Sequence, residues 1–306
     1  MHAPTAPRSI DQYLRQLREA LAGQDPALLQ DALYDAEEYL RAEVATAQQQ
    51  TPASSEADVL ERIASTYGAP EEVAAAYRTT ELKVTAALRT PPPPPHRTGI
   101  GRFFSVYADP RTWGAVFYLL LSLITGVFYF SVTITGLSLS LGLAILIIGF
   151  PFFLLFIGLT RVLSLAEGRL VEGLLGVRMP RRPVTRVPGS WWARIRDMLT
   201  DRRTWTTLLY MTLQLPLGIA YCVLAVVGIS VSLALVSVPL AALFPDSGIM
   251  FGVDGVNLSE YLAGWEYLLA PLAGVLLLTV WMHAMRGLGL LHGSFAKHLL
   301  VSPAAE

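Results

Sequence analysis

The sequence predicts an all-α protein, with a small cytoplasmic helical bundle followed by a four-span helical membrane domain. Hydrophobic residues make up 53% of the chain and charged residues only 15%. Residues 113–133, 141–160 and 204–227 contain no charged side chain, and 267–285 is interrupted only by His283. Each run is long enough to cross a hydrocarbon core of about 30 Å as a helix. This segregation predicts an integral membrane protein whose first partner is the lipid bilayer.

A second observation is an internal repeat. Residues 109–142 align with 201–234 at a shift of 92, with 13 of 34 positions identical. The segment at 167–175 (EGRLVEGLL) aligns with 292–300 (HGSFAKHLL) at a shift of 125. Both copies begin on the same side, which predicts two parallel repeats, 109–176 and 201–301, within a membrane domain at 102–301. The identical pairs include Asp109 and Asp201, Trp113 and Trp205, Tyr118 and Tyr210, Gly126 and Gly218, Tyr129 and Tyr221, and Gly136 and Gly228.

Residues 9–89 predict the soluble bundle, built from four short helices. Ser9 is the predicted N-cap of the first helix, and Gly23 ends that helix. A polar stretch at 46–54 predicts a loop, and Ser55 begins the third helix.

The turn at 67–72 (YGAPEE) has a mechanical interpretation. Gly68 suits a left-handed helix C-cap, and Pro70 suits the first position of the next helix, where its missing N–H leaves no bond unmade. Glu71 and Glu72 then lie at the positive end of that helix. Five prolines follow in the predicted linker, 90–101, where an extended spacer is favoured over a docking site for a proline-binding module.

The charges predict orientation and exclude one class of partner. Residues 9–89 carry 14 acidic and 7 basic side chains, which argues against direct nucleic-acid binding. The loop at 166–203 contains nine arginines, whereas 245–264 contains no lysine or arginine. The positive-inside bias therefore predicts a multi-pass plasma-membrane protein with both termini in the cytoplasm.

Four crossings satisfy this orientation, at about 113–135, 140–164, 205–228 and 266–287. The apolar stretch 229–244 is too short for a fifth crossing. It is interpreted as an outer re-entrant segment or a helix extension, broken at Pro239. The second repeat is therefore expected to carry an outer insertion, largely within 229–264.

The repeated charged edge supplies candidate signalling positions. It is either a signalling elbow or, as we favour, a helix N-cap followed by a snorkelling arginine and an interfacial tryptophan. The residues are Asp109, Arg111 and Trp113 in the first copy and Asp201, Arg203 and Trp205 in the second. Gly68 and Pro70 are further candidates in the soluble bundle.

No catalytic motif, cofactor site or metal site is expected. The sequence has neither a phosphate-binding GxxxxGK[ST] loop nor a GxSxG nucleophile elbow. Cys222 is the only cysteine, and it lies in an apolar run. His283 is interpreted as an interfacial or hydrogen-bonded histidine, and the pair His292 and His298 does not share a helix face.

The repeated D-x-R-T-W…Y…G-x-x-Y…G pattern resembles the sensor domain of actinobacterial signalling proteins, which often precedes a histidine-kinase module. Residues 9–78, with the acidic second helix and the turn at 67–72, are similar to the HAAS-type helical signalling domain. That domain accompanies membrane sensors and is commonly encoded beside PadR-type transcription regulators. The resemblance implies a PadR-type regulator or a histidine kinase as partner. Because this chain ends soon after its last predicted span, we expect it to be no kinase itself.

These features predict a non-enzymatic membrane sensor or adaptor that couples an envelope or lipid signal to a cytoplasmic regulator. The alternatives are a permease-like transport subunit, since parallel repeats also build carriers, and a membrane scaffold. The near absence of charges in the predicted spans disfavours transport. A homo-oligomer is compatible with the sequence.

Overall fold

The computed structural model is all-α with a membrane domain, as predicted. Apart from a two-stranded antiparallel ladder of β1 (Gly252–Val253) and β2 (Val256–Asn257), the regular elements of the described residues are helices. The structure describes residues 7–51, 55–88, 98–145, 149–182, 196, 200–243, 252–253, 256–257 and 264–301. The proline run of the predicted linker lies outside these residues, as do Trp191 and Trp192, for which the sequence predicts an amphipathic segment lying on anionic lipid.

The N-terminal bundle has the four predicted helices around one apolar core. Ser9 caps the first by accepting the Gln12 backbone N–H at 3.2 Å, and Asp25 caps the second by accepting that of Ala27 at 2.9 Å. The predicted loop at 46–54 is shorter than expected, because the second helix continues to Gln50. The helices are α1 (Ile10–Ala20), α2 (Pro26–Gln50), α3 (Glu56–Thr66) and α4 (Pro70–Leu88).

The turn between α3 and α4 has the predicted chemistry. Gly68 has a φ of +106°, a left-handed conformation that favours glycine, and Pro70 is the first residue of α4. The Tyr13 hydroxyl donates to the Gly68 carbonyl at 2.9 Å and ties α1 to this turn. Burial, followed by the neighbouring Tyr67 and the acidic first turn of α4, raises the pKa of Tyr13, so this hydroxyl keeps its proton.

Among the described residues of the membrane domain, four helices are long and apolar enough to cross a bilayer. A short helix and a 3₁₀ turn precede them, and a π-helical turn extends the second. The elements are α5 (Gly99–Phe104), the 3₁₀ turn Ser105–Ala108, α6 (Pro110–Leu143), α7 (Gly149–Leu170) with the π-helical turn Val171–Leu175, α8 (Arg202–Leu243) and α9 (Glu266–Leu300).

The helix ends differ from the predicted crossings. α6 continues to Leu143, so residues 140–143 belong to the first span and not to the second. α9 continues to Leu300, well beyond the predicted end at 287. α8 runs unbroken through Pro216 and Pro239 to Leu243, so 229–243 is a helix extension without the break expected at Pro239. Breaking a helix in apolar surroundings would leave backbone groups unpaired, which favours continuation.

Glycines allow α6 and α8 to pack backbone against backbone. A Cβ added at Gly126 would lie 2.6 Å from the Gln214 carbonyl oxygen, and a Cβ added at Gly218 would lie still closer to the Ser122 carbonyl oxygen. Both distances are too short for a real side chain. Ser122 and Gln214 are themselves matched by the shift of 92, so the two contacts are equivalent. Small residues are the usual means of bringing membrane helices this close.

The same correspondence extends to the outer pairs of helices. Gly136 of α6 lies against the ring of Phe156 of α7, and Gly228 of α8 lies against the ring of Trp281 of α9. Phe156 and Trp281 are matched by the shift of 125. The residues aligned by the predicted repeat therefore make matching contacts.

Candidate functional site

A buried cluster of polar side chains, here called the polar centre, lies where the four long helices meet. At its middle are Glu167 and His292, of which at most 1% is exposed. Its members are Tyr118 and Tyr129 of α6, Glu167 of α7, Tyr210, Gln214 and Tyr221 of α8, and His292 of α9.

Glu167 is the acceptor of the polar centre. Its Oε1 accepts hydrogen bonds from the hydroxyls of Tyr118 at 2.5 Å and Tyr210 at 2.9 Å. Its Oε2 accepts from the Tyr129 hydroxyl at 3.0 Å. Three hydroxyl donors suit an ionised carboxylate, because each bond is charge-assisted.

His292 occupies the corresponding place on the other side. Its Nε2 lies 2.8 Å from the Tyr118 hydroxyl and 3.1 Å from that of Tyr210. Its Nδ1 lies 3.2 Å from the Tyr221 hydroxyl. The two inner tyrosines, Tyr118 and Tyr210, thus bridge Glu167 and His292. Of the two outer tyrosines, Tyr129 contacts only Glu167 and Tyr221 contacts only His292.

The polar centre follows the predicted repeat. Tyr118 matches Tyr210 and Tyr129 matches Tyr221 at the shift of 92, while Glu167 matches His292 at the shift of 125. The hydroxyls of the matched residues Tyr118 and Tyr210 approach each other to 3.4 Å. One acid and one base therefore occupy equivalent positions with equivalent partners.

Hydrogen counting shows what the polar centre can do. If Tyr118, Tyr129 and Tyr210 each donate their single hydrogen to Glu167, the His292 Nε2 must be the donor to an inner tyrosine oxygen. The Nδ1 can then either accept from Tyr221 or, when protonated, donate to it. Protonation of Nδ1 would therefore reverse the Tyr221 hydroxyl, whose own hydrogen would then need another acceptor.

Gln214 completes the polar centre but is only partly satisfied. It is fully buried, and its amide nitrogen lies at the long distances of 3.4 Å from the Tyr118 hydroxyl and 3.5 Å from Glu167 Oε1. Its Oε1 is buried and has no hydrogen-bond partner among the described residues. The matched position in α6 is Ser122, whose hydroxyl instead bonds the Leu119 carbonyl.

The predicted signalling positions are helix caps with a cross-connection. Asp109 Oδ1 accepts the Arg111 backbone N–H, and Asp201 Oδ1 that of Arg203, both at 3.0 Å. The second carboxylate oxygen of each cap pairs with an arginine of the other helix pair. Asp109 lies 2.9 Å from Arg286 of α9, and Asp201 lies 3.6 Å from Arg161 of α7.

Trp113 and Trp205 occupy matching outward positions, with 53% and 51% of each residue exposed. The Trp113 indole donates to the Tyr107 carbonyl at 3.0 Å. Exposed indole rings near the charged ends of two apolar helices suit the headgroup region. His283 bonds the Phe103 carbonyl at 2.9 Å, in agreement with the hydrogen-bonded interpretation.

A second cluster, here called the docking cluster, joins the bundle to the membrane domain. Arg178, which follows the π-helical turn, lies 2.9 Å from Asp31 of α2 and 3.2 Å from Glu81 of α4. Burial alone would lower the pKa of Arg178, but Glu81, Asp31 and Glu172 together raise it, so the guanidinium stays charged. The cluster consists of Gln30, Asp31, Asp35, Glu81, Glu172, Arg178, Arg181 and Arg182.

Two further contacts strengthen this junction. Lys297 of α9 pairs with Asp25 at 2.5 Å, and Arg203 of α8 donates to the Gln30 side chain at 3.1 Å. Among the predicted candidates, Arg203 therefore reaches the bundle. Gly68 and Pro70 instead shape the turn within the bundle.

Sequence reasoning did not identify either cluster as a site. The signals were the tyrosines repeated in both copies, the alignment of Glu167 with His292, and the opposite charges of the bundle and the arginine loop. These charges predict orientation and argue against nucleic-acid binding, but they do not specify a contact between the bundle and the arginine loop.

The fold and the polar centre define a four-helix membrane domain with an attached N-terminal helical bundle. A family model described as "Putative sensor" matches residues 118–300, which is more than half of the chain. The chain therefore belongs to this sensor family, and the matched range contains the whole polar centre. No curated protein and no solved structure matches the chain.

Proposed function

We propose that this chain is a non-enzymatic membrane sensor that couples an envelope or lipid signal to a cytoplasmic regulator through its N-terminal bundle. Membership of the sensor family supports the sensing role. The attached bundle supplies a surface on which a regulator can act.

The observation that carries the proposal is a direct connection between the two clusters. Glu167 of the polar centre and Glu172 of the docking cluster are five residues apart on one continuous helical segment. Glu172 lies 2.9 Å from Arg181 and 3.7 Å from Arg178. A shift of α7 at Glu167 would therefore also move Glu172, which holds Arg178 and Arg181 of the docking cluster.

The turn that carries Glu172 is itself π-helical, over Val171–Leu175. Such turns are uncommon and occur frequently at functional sites, because they shift the helix register by one residue. In the proposed mechanism, a signal favours one of two packings of the four helices, and the π-helical turn passes the difference to the docking cluster.

Several finer features belong to the same proposal. The matching contacts of the two helix pairs support a duplicated membrane hairpin with parallel repeats. The charge bias supports termini in the cytoplasm of a plasma-membrane protein. The four-helix bundle with its capped turn supports a HAAS-like domain, for which a PadR-type regulator or a histidine kinase is the partner we propose.

Hydrogen exchange in lipid nanodiscs tests the coupling. The backbone N–H groups of Arg181 and Arg182 donate to Asp31 at 2.7 and 2.8 Å, so their exchange reports docking. We expect Glu167→Gln to speed exchange at these amides, although Glu167 touches neither of them. Glu61→Gln, at an exposed position of α3, is the matched control and should leave exchange unchanged. Unaltered protection at Arg181 and Arg182 in a Glu167→Gln protein with a shifted melting temperature would refute the coupling.

Transport is the second candidate, and the polar centre is the observation that favours it. Ionisable residues buried between membrane helices commonly line ion or proton pathways. Glu167 and His292 lie beyond the predicted spans at 140–164 and 266–287, so the sequence appeared to lack such residues. Proton flux through reconstituted proteoliposomes that is lost in Glu167→Gln would rank transport above sensing.

A further inference from the structure

The bundle holds the segment 176–182 (GVRMPRR) in the manner of a receptor holding a peptide. The segment is non-helical and lies between the bundle and the membrane domain. Met179 is buried in the apolar core of the membrane domain, and Val177 packs against that core. Arg178 and Arg182 instead contact the bundle.

The bundle recognises the backbone of this segment. Asp31 Oδ1 accepts the N–H groups of both Arg181 and Arg182, and the Gln30 amide donates to the Arg182 carbonyl at 2.5 Å. Contacts to successive peptide groups fix a non-helical chain in one register. Such contacts do not depend on the segment being part of the same molecule.

The bundle also recognises the side chains at two positions. The Arg178 guanidinium is nearly buried between Asp31 and Glu81. The Arg182 guanidinium pairs with Asp35 at 2.8 Å and lies 5.7 Å from the centre of the Tyr34 ring. Gln30, Asp31, Tyr34 and Asp35 share one face of α2, since they are one, four and five positions apart.

We propose that this face of the bundle is a binding site for a non-helical, arginine-rich protein segment, and that residues 176–182 occupy it in the undisturbed protein as an internal ligand. The partner is a protein that presents an R-x-x-R-R segment of its own. When residues 176–182 are withdrawn from the bundle, the partner's segment binds to the same acidic and aromatic groups.

The identity of the partner rests on the proposed function, because only a sensor requires the site to be emptied by a signal. The binding of an arginine-rich segment to this face of α2 is independent of the proposed function. Failure of peptide binding would overturn this inference and leave the hydrogen-exchange coupling intact, and loss of the coupling would leave peptide binding intact.

The test uses the full chain in nanodiscs and a fluorescent peptide with the sequence of residues 176–182, followed by anisotropy. Arg178→Ala removes the buried side chain of the internal segment and empties the site. We expect it to bind the peptide about 30-fold more tightly than the wild-type chain, since loss of a buried charge pair weakens an interaction by at least that factor. Adding Asp31→Asn should abolish the gain.

Asp25→Asn is the matched control in the same helix. Asp25 contacts Lys297 and not the segment, and asparagine retains the N-cap. On the Arg178→Ala background it should leave peptide binding in place. A peptide with alanine at the position of Arg178 should bind weakly to all proteins.

Glu81→Gln on the Arg178→Ala background guards against misfolding of the Asp31 variant, because it removes a second acceptor from another helix. It should also weaken peptide binding. Equal peptide affinity of the wild-type and Arg178→Ala chains, or full binding in both the Asp31 and Glu81 variants, would overturn the proposal.

Discussion

The two helix pairs of the membrane domain, α6 with α7 and α8 with α9, place different chemistry in equivalent positions. At matched sites, the first pair contributes the acid Glu167 and the second contributes the base His292. Each pair also contributes two tyrosines at matched positions, Tyr118 and Tyr129 from α6 and Tyr210 and Tyr221 from α8. The shared framework therefore holds an acid in one pair and a base in the other, with Tyr118 and Tyr210 bridging them.

Two identical residues at this position would be less favourable. Two carboxylates between the same tyrosines would compete for donors and repel each other, and two histidines would leave the hydroxyls without a strong acceptor. An acid opposite a base gives the hydroxyls a strong acceptor on one side and ring nitrogens that can accept or donate on the other. The asymmetry of an otherwise symmetric core is therefore the feature to perturb first.

The largest effect is expected from Glu167→Ala, which leaves three buried tyrosine hydroxyls without their acceptor. We expect it to lower the free energy of unfolding by about 3–5 kcal/mol, the usual result of breaking a buried charged network. His292→Ala should lower it by about 1–3 kcal/mol, because only the Tyr221 hydroxyl loses its acceptor while Tyr118 and Tyr210 still donate to Glu167. Thermal unfolding in detergent measures both, with the exposed Glu61→Ala as the control.

The exchange variant Glu167→His with His292→Glu sharpens this prediction. If the two positions are equivalent, the double variant should recover a substantial part of the stability lost by each single change. Losses that simply add would show that the matched positions are not interchangeable.

A second prediction concerns the shared framework. Gly126→Ala and Gly218→Ala should each lower the free energy of unfolding by about 1–3 kcal/mol, because the new methyl group meets backbone that cannot move aside. The two effects should be similar, since each glycine faces the equivalent peptide of the other helix. Gly142→Ala is the control, because the described residues outside its own helical turn place no atom within 4 Å of a Cβ there. The measurement is the free energy of unfolding of each variant in detergent. Clearly different losses for Gly126→Ala and Gly218→Ala would show that the two glycine contacts are not equivalent.

Features encoded locally were predictable from the sequence. The caps at Ser9 and Asp25, the turn at Gly68 and Pro70, and the four apolar helices depend on residues close together in the chain. The caps and the turn follow from the preferences of capping residues, and the four helices follow from long runs without a charged side chain.

The polar centre depends on contacts distant in sequence. The predicted spans ended at 164 and 287, close to the charged Glu167 and Arg286, because a charged or polar side chain normally marks the end of a hydrophobic run. In the structure both helices continue, since tyrosines from neighbouring helices satisfy Glu167 and His292. The pairing of Asp31 with Arg178 was equally inaccessible, because opposite charge does not specify which carboxylate meets which arginine.

The smallest effect concerns the crossed ion pairs at the helix caps. Asp109 and Arg286 are separated by 2.9 Å, with 9% of the Asp109 side chain exposed, whereas Asp201 and Arg161 are separated by 3.6 Å, with 31% of the Asp201 side chain exposed. Asparagine preserves each N-cap and removes only the charge. We expect Asp109→Asn to lower the free energy of unfolding by about 1–2 kcal/mol, because this is a hydrogen bond to a charged group that solvent weakens at Arg286, whose side chain is 39% exposed.

Asp201→Asn should change the free energy of unfolding by at most about 1 kcal/mol, because water screens the more exposed pair. Repeating both measurements at high salt separates the causes, since the Asp201 contribution should disappear while most of the Asp109 contribution remains. Equal effects of the two substitutions at low salt would mean that the helix pairs are anchored symmetrically, and the asymmetry between them would then be confined to the polar centre.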